Sequence, residues 1–288
     1  MRQMCRYLVA LVILNIAATC WAEKESYPIQ LHRAWKVGDI YDTHAILEQT
    51  EIATITLADL PPQVKTREIK ANLQAQVKIL EVSEHGKATS LELTVKKFTD
   101  ETGKNLIDTD KVIAVKRDAE QSSFTSKTGE DVSEEAKSFL KRLYPPERGG
   151  TGDDAIFGDK MPRKVGESWP IDLEAGAKSF SQGGLTVDPK EMTGTTTLKA
   201  IEEVNGEKAL RIVGTIEMTN LKPPAPAGVT VESCSMKAQY SGLYPLNVSQ
   251  PQAENEVTSD MTILMTGNGV KIEAKAQLRQ KKTTTPVK

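Results

Sequence analysis

One segment of the chain has the spacing of a calcium-binding loop. Residues 149–157 match the repeat Gly-Gly-x-Gly-x-Asp-x-apolar-x at every fixed position. In that repeat, stacked turns share each Ca²⁺ between successive loops. The chain contains a single copy, so we interpret the segment as a Gly- and Asp-rich connection, because these are also ordinary loop residues. A weak solvated cation site at Asp153, Asp154 and Asp159 is the alternative.

The other residues able to do chemistry are scattered along the chain. The histidines, His32, His44 and His85, have neither the His-Glu-x-x-His spacing nor a cysteine at zinc-ligand distance. The sequence contains no Gly-x-Ser-x-Gly elbow, phosphate loop or dinucleotide fingerprint. We therefore assign no catalytic, cofactor-binding or metal-binding residue and expect no cofactor. A hydrolase whose acid pair or nucleophile comes from distant strands remains open.

A short motif, Lys-Val-Gly-acid-x-aromatic, occurs twice, at residues 36–41 and 164–169. A glycine turn followed by an acid and an aromatic residue is typical of a strand that enters a core, so the repeat predicts duplicated β units. We expect the two glycines to occupy matching backbone positions and the two aromatic side chains to be buried. The predicted structural anchors are Gly38, Tyr41, Gly166 and Trp169. Stacking of these aromatic residues and Trp35 on a carbohydrate or lipid is the alternative.

Alternating apolar residues predict long antiparallel hairpins. Residues 69–79 alternate strictly, and a turn at 83–86 leads into a return strand. Asn205-Gly206 joins a second pair of alternating segments, and both of these residues tolerate positive φ. Residues 261–278 form a third pair around a Gly-Asn-Gly turn. The sequence predicts a mainly β fold of two related antiparallel β units, built as long hairpins in curved sheets or an open barrel.

One amphipathic helix is predicted at residues 132–143. Its apolar residues have helical spacing, Asp131 is the expected cap, and Pro145-Pro146 ends the run. The predicted organisation is a signal peptide at 1–22, a first β unit at 23–146, a connection at 147–163, a second β unit at 164–280 and a disordered tail at 281–288.

The first 22 residues have the organisation of an export signal. Two arginines precede an apolar stretch at residues 7–18, and a small-residue cleavage site ends at Ala22. The apolar stretch is shorter than the ~20 residues that span a bilayer, so we expect no transmembrane segment in the mature chain. Acylation of Cys20 is the alternative and would anchor the protein to a membrane. The prediction is an exported protein, periplasmic or secreted.

Composition narrows the classes of partner. The formal net charge of −2 gives no excess of basic residues for binding a nucleic acid.

Cleavage after Ala22 would leave Cys234 as the remaining cysteine, which excludes an internal disulfide. We expect Cys234 to be buried as a small hydrophobic residue.

With its repeated turns at 37–41 and 165–169, the chain resembles a family of exported, mostly β bacterial proteins of unknown function. Members of that family carry a Val-Gly-acid-x-Tyr start and a Val-Gly-acid-x-Trp turn midway. The resemblance covers about residues 35–278, implies a location in the cell envelope and a β fold, and carries over no catalytic residue. A more distant similarity is to the lipoprotein carriers of the bacterial envelope, whose curved antiparallel sheet holds an acyl chain against a helical plug. That similarity is one of fold, and fold does not imply function.

These observations favour an exported, non-enzymatic protein with a binding or scaffolding role in the cell envelope. The expected partner is an apolar ligand or another envelope component. A carrier of an apolar ligand, such as a lipid or acyl chain, requires an apolar sheet face that stays unfilled. A structural module requires the same face to be packed.

Overall fold

The computed structural model describes residues 25–57, 60–147 and 152–287 of the protein. The predicted signal peptide therefore lies outside the described residues, as do Cys20 and positions 149–151 of the calcium-like segment.

The described residues are mainly β, as the alternating segments predict. In chain order the strands are β1 (Ser26–Ile29), β2 (Ile40–Leu57), β3 (Leu60–Val82), β4 (Ala88–Asp100), β5 (Val112–Arg117), β6 (Ser122–Ser126), β7 (Asp159–Lys164), β8 (Ser168–Pro170), β9 (Met192–Val204), β10 (Glu207–Met218), β11 (Thr230–Pro245), β12 (Glu254–Gly267) and β13 (Val270–Pro286). The helices are α1 (Glu134–Leu143), α2 (Asp153–Phe157) and α3 (Leu173–Gln182), with a 3-10 turn at Pro189–Glu191.

The strands form one large open antiparallel sheet and one small sheet. The order in the large sheet is β6-β5-β4-β3-β2-β13-β12-β11-β10-β9-β8, and β1 pairs with β7 in the small one. Each half of the chain thus forms a meander, and the two meanders join where β2 pairs with β13. The three predicted hairpins are β3–β4, β9–β10 and β12–β13. The mainly β, antiparallel fold is therefore confirmed, with the two predicted units sharing one sheet.

The end of the chain differs from the prediction of a disordered tail at 281–288. Strand β13 continues to Pro286, and its last residues pair with the start of β2. The basic, threonine-rich composition suggested disorder, but threonine is a good strand residue and pairing with the central strand holds this segment. The second unit therefore extends beyond residue 280.

The large sheet has one apolar and one polar face. Cross-strand partners point to the same side of an antiparallel sheet, so the register assigns each residue to a face. Tyr41, Leu47 and Leu278 lie on the apolar face, which carries both cores. The opposite face carries ion pairs such as Arg279 Nε to Glu256 Oε1, at 2.9 Å.

Helix α1 covers the first core. It begins at Glu134, and the Ser133 side chain, in place of the predicted Asp131, caps it by accepting from the Ala136 N–H at 3.2 Å. The apolar side of the helix is buried, and Phe139 packs edge-on against Phe98 with ring centres 6.2 Å apart. The predicted helix is thus docked on the first β unit.

The second core is covered by elements that the sequence reading did not identify. Residues 147–163, predicted as a connection, include α2 and β7, and helix α3 follows β8. The glycine at position 176 within α3 weakens its helical signal, since glycine is a poor helix former. Cys234 lies in this core as expected, with 2% of its surface exposed.

Candidate ligand-binding site

The two copies of the repeated motif form the same turn. Gly38 and Gly166 have φ values of 92° and 91°, in the left-handed region that favours glycine. In each copy the acidic side chain accepts a hydrogen bond from the backbone N–H of the lysine that begins the motif. The distances are 2.8 Å in the first copy and 2.9 Å in the second. Tyr41 and Trp169 are both buried, with exposures of 3% and 4%. The backbone positions therefore match, while the role of these residues as anchors stays a prediction.

Burial argues against ligand stacking by Tyr41 and Trp169, whereas Trp35 is half-buried and borders the cavity of about 380 Å³ that lies where the two cores meet. Trp35 and Tyr41 stack on each other with ring centres 4.7 Å apart. The Trp169 Nε1–H donates to the Phe157 carbonyl at 3.0 Å, and the Arg163 guanidinium lies 5.4 Å from the Trp169 ring centre. A depression of about 690 Å³ lies beside Trp169, but Arg163 in its wall is already paired with Asp159.

The three candidate cation ligands have partners within the fold. Asp159 accepts from Arg163 Nε at 2.8 Å. Asp154 accepts hydrogen bonds from the backbone N–H groups of Leu31 and His32, the latter at 2.8 Å. Asp153 accepts from the Tyr244 hydroxyl at 3.2 Å. Among residues 25–57, 60–147 and 152–287, no cluster of three or more His, Cys, Asp or Glu side chains has the arrangement of a metal site. Asp154 therefore ties the N-terminal segment to α2.

A cavity of about 380 Å³ lies where the two cores meet on the apolar face. Ala88 and Leu143 of the first core border it on one side, and Leu31 of the second core borders it on the other. The charged side chains in its wall are Arg33, Lys87, Arg117, Lys282, Glu147 and Asp153. Four cations thus face two carboxylates in this cavity.

Lys282 is enclosed by aromatic rings. Its Nζ lies 5.0 Å from the ring centre of Tyr144 and 5.8 Å from that of Tyr41. Burial lowers the pKa of Lys282 to about 8, and the charge of Arg117 adds to this effect. Within the described part of the chain, no carboxylate forms an ion pair with Lys282. The aromatic rings stabilise the cation, but its charge has no anionic partner.

Arg117 and Glu147 form the wall beside Lys282. Arg117 donates from Nε to the Pro145 carbonyl at 2.7 Å and from Nη1 to the Ala88 carbonyl at 2.9 Å. Glu147 lies 3.5 Å from Arg117 Nη2 and 3.0 Å from Lys87 Nζ. The Glu147 carboxylate is therefore shared by Arg117 and Lys87, and it forms no ion pair with Lys282.

Arg33 completes the basic lining. Its guanidinium donates to the carbonyls of Gln30, His32 and Pro245 at 2.7 to 2.9 Å. The Arg33 Nε is buried and has no hydrogen-bond partner in the described structure. An unpartnered buried donor is costly. Asp154 stabilises the charge of Arg33, so among the described residues this cavity has one donor without an acceptor, Arg33 Nε, and one cation without a carboxylate, Lys282.

An apolar strip leads away from the cavity along the centre of the sheet. We call it the open strip. Its residues are Val257, Met261, Ile263 and Met265 of β12, Val270, Ile272, Ala274, Ala276 and Leu278 of β13, and Ala53, Ile55 and Leu57 of β2.

Within the described residues, the middle of the open strip is not part of either core. Met265, Ile272 and Ala274 belong to neither core and are half-buried. Thr54 and Thr56, on the polar face of the same region, are exposed to a similar degree. Apolar residues in core-facing register are thus left accessible.

Sequence reasoning missed this site for an identifiable reason. Lys282 lies on the same face as Leu278 because the two residues are separated by an even number of positions along β13. Strict alternation extended past residue 280 would have placed a lysine on the apolar face.

The three histidines do not come together in one site. His32 borders the cavity, His44 contacts Asn72 at 3.1 Å, and His85 lies in a surface turn.

No protein-family model and no curated protein sequence matches the chain. Among solved structures, similarity is found to lipovitellin, in a study of its lipid–protein interactions, with a TM-score of 0.39 and 8% identity over 87% of this chain and 25% of lipovitellin. DynF, from the dynemicin biosynthesis pathway of Micromonospora chersina, has a TM-score of 0.17 and 9% identity over 93% of this chain and 97% of its own. An outer membrane channel from Pseudomonas putida F1 also has a TM-score of 0.17, with 8% identity over 88% and 97%. At these TM-scores nothing about this chain rests on the resemblance.

No helix in the described ranges has the length and apolar character needed to cross a membrane.

Proposed function

We propose that this is an exported, non-enzymatic binding protein that holds an apolar chain on the open strip. The observation that supports the proposal most directly is that Met265, Ile272 and Ala274 face the core side of the sheet, are half-buried, and belong to neither core of the described residues. Apolar patches of this kind on a protein surface are typical of interaction sites.

The dimensions of the strip suit an acyl chain. From Val270 to Leu278 the strip extends roughly 27 Å, at about 3.4 Å per residue. One acyl chain spans about half of the ~30 Å hydrocarbon core of a bilayer. Each CH₂ group that the strip removes from water contributes about 0.8 kcal/mol, so a single chain supplies useful affinity.

The position of helix α1 favours a carrier in which the binding surface is preformed. The apolar residues of α1 are buried in the first core, with Ala136 and Leu140 almost fully enclosed. The helix is therefore part of the scaffold, and the strip lies beside it. A ligand binds without displacing the helix, unlike in a carrier that uses a helical plug.

A charge placed on the strip tests the proposal. Displacement of a fluorescent fatty acid would be measured for the wild type, for Ile272→Lys and for the matched control Glu273→Lys, which lies one residue away on the polar face. We expect Ile272→Lys to weaken binding by about tenfold or more, because the new cation must be desolvated. The control should bind like the wild type.

A wild-type protein that does not bind the probe, or equal loss in both variants, would refute the assignment. Capture of the wild-type protein by a protein of the cell envelope through the same strip would instead support the scaffolding role.

A further inference from the structure

We infer that the cavity around Lys282 binds the anionic head group of the ligand, a carboxylate or phosphate attached to the chain that occupies the open strip. This inference rests on the proposed function and adds the chemical class of the ligand. The observation that supports it is a lysine without a carboxylate partner, Lys282, in a cavity at the end of the open strip.

The first argument is charge balance. Glu147 is shared between Arg117 and Lys87, and Asp153 accepts from the Tyr244 hydroxyl. Among the described residues, Lys282 lies against the rings of Tyr144 and Tyr41 and near the like charge of Arg117, and it forms no ion pair with a carboxylate. A buried lysine without a carboxylate is unfavourable, and an oxyanion in the cavity would restore the balance.

The second argument is an unmet hydrogen bond. Arg33 uses both Nη atoms on backbone carbonyls, while its buried Nε has no partner. Arg33 and Lys282 border the same cavity from different parts of the chain, one on the segment after β1 and the other near the end of β13. Carboxylate and phosphate oxygens accept strong hydrogen bonds from both types of cation.

The third argument is continuity with the strip. Gln280 and Asn255 line the cavity. On the same face, the residues two positions along these strands are Leu278 and Val257, the first residues of the open strip. On β13 the face changes from polar Gln280 to apolar Leu278 within one step and stays apolar to Val270, which suits a ligand with a charged head and an apolar chain. On the neighbouring strands, Ser259 and Gln49 lie opposite Leu278, and Glu51 lies opposite Ala276.

The volume is sufficient for such a head group. The cavity measures about 380 Å³. A water molecule occupies about 30 Å³ in the liquid, so the cavity has room for roughly a dozen waters or for one hydrated oxyanion.

Calorimetric titration of the mature protein with dodecanoate, dodecyl phosphate, dodecanol and inorganic phosphate tests the inference. We expect the two charged amphiphiles to bind at least about tenfold more tightly than dodecanol, the scale of one charge-assisted hydrogen bond. Lys282→Met should remove that advantage and leave the affinity for dodecanol unchanged.

Lys281→Met is the matched control, because Lys281 is the neighbouring residue on the polar face and pairs with Glu254 at 3.0 Å. It should bind all four compounds as the wild type does. Arg33→Gln, which keeps a polar side chain, should also weaken binding of the charged amphiphiles.

Equal affinity of the wild type for dodecanol and dodecanoate would overturn the head-group assignment while leaving the proposed function intact. Inorganic phosphate bound as tightly as dodecyl phosphate would also overturn it, because the site would then take a free anion. Failure of every amphiphile to bind would remove both the proposed function and this inference.

Discussion

Lys282 Nζ lies 5.0 Å from the ring centre of Tyr144, the residue that caps the C-terminus of helix α1. This contact joins a central strand of the sheet to the helix that covers the first core. It places a cation at the meeting point of the two cores, where the open strip begins. Under the proposed function, Lys282 therefore couples stability to ligand binding.

The first prediction concerns the pH dependence of stability. Burial and Arg117 lower the pKa of Lys282 to about 8, from an ordinary value of 10.5. Between these pH values the unfolded chain holds a proton that the folded protein has released, so the free energy of unfolding rises with pH. Lys282→Met lacks this contribution and should be more stable than the wild type near pH 7, by about 3 kcal/mol, since each unit of pKa shift corresponds to about 1.4 kcal/mol.

Urea denaturation between about pH 7 and pH 10 measures this difference. Burial raises the pKa of both Tyr41 and Tyr144, so neither ring should ionise in this window. The advantage of Lys282→Met should shrink as the pH rises. A difference that stays constant with pH would show that the pKa of Lys282 is not lowered.

The second prediction tests the anchoring role of the repeated turn. Trp169→Ala removes a buried ring and its hydrogen bond to the Phe157 carbonyl, and should reduce the free energy of unfolding by about 3–5 kcal/mol. Val165→Ala in the same turn is the control, because Val165 is 38% exposed and a surface change costs at most ~0.5 kcal/mol. Chemical denaturation of both variants provides the measurement. A loss below about 1 kcal/mol for Trp169→Ala would mean that the residue is not an anchor.

The third prediction concerns calcium. Millimolar Ca²⁺ should leave the Tm of the wild type unchanged, because the Asp154 carboxylate already accepts from the Leu31 and His32 N–H groups. A ligand at 100 times its Kd would instead stabilise the protein by about 2.7 kcal/mol. Asp154→Ala should lower the Tm equally with and without Ca²⁺, since it leaves two backbone donors without their acceptor. A calcium-dependent rise in Tm that vanishes in Asp154→Ala would re-establish the cation site.

The fourth prediction separates a docked helix from a removable plug. Phe139→Ala should destabilise the fold by about 3–5 kcal/mol, because Phe139 is buried against Phe98. It should leave the uptake of a fluorescent fatty acid unchanged, because the middle of the open strip belongs to neither core. Glu135→Ala, on the exposed side of the same helix, serves as the control. Normal stability with tighter probe binding in Phe139→Ala would identify the helix as a plug.

Local patterns in the sequence were enough to predict much of the fold. The alternation at 69–79 and the Asn205-Gly206 turn depend on side-chain parity and on backbone conformations available to particular residues, and both are properties of short segments. The same holds for the repeated turn, in which Gly38 donates to the Ile79 carbonyl and Gly166 to the Leu198 carbonyl, at 2.9 and 2.8 Å. The helical spacing of the apolar residues also predicted helix α1, and the predicted start lies within two residues of the observed one.

The candidate site was decided by tertiary structure alone. Arg33, Arg117 and Lys282 are far apart in the chain. Lys282 reaches the first core because β13 pairs with β2, and Arg33 borders the same cavity with its guanidinium on the Pro245 carbonyl. No local pattern specifies either contact. Composition suggested a disordered end to the chain, whereas pairing with a central strand places Lys282 on the apolar face. By itself the sequence determined the three long hairpins, the repeated turn, helix α1 and which residues of those strands share a face. Only long-range pairing decided which faces are covered and where a charge is left without a partner, because burial depends on neighbours that are distant in sequence.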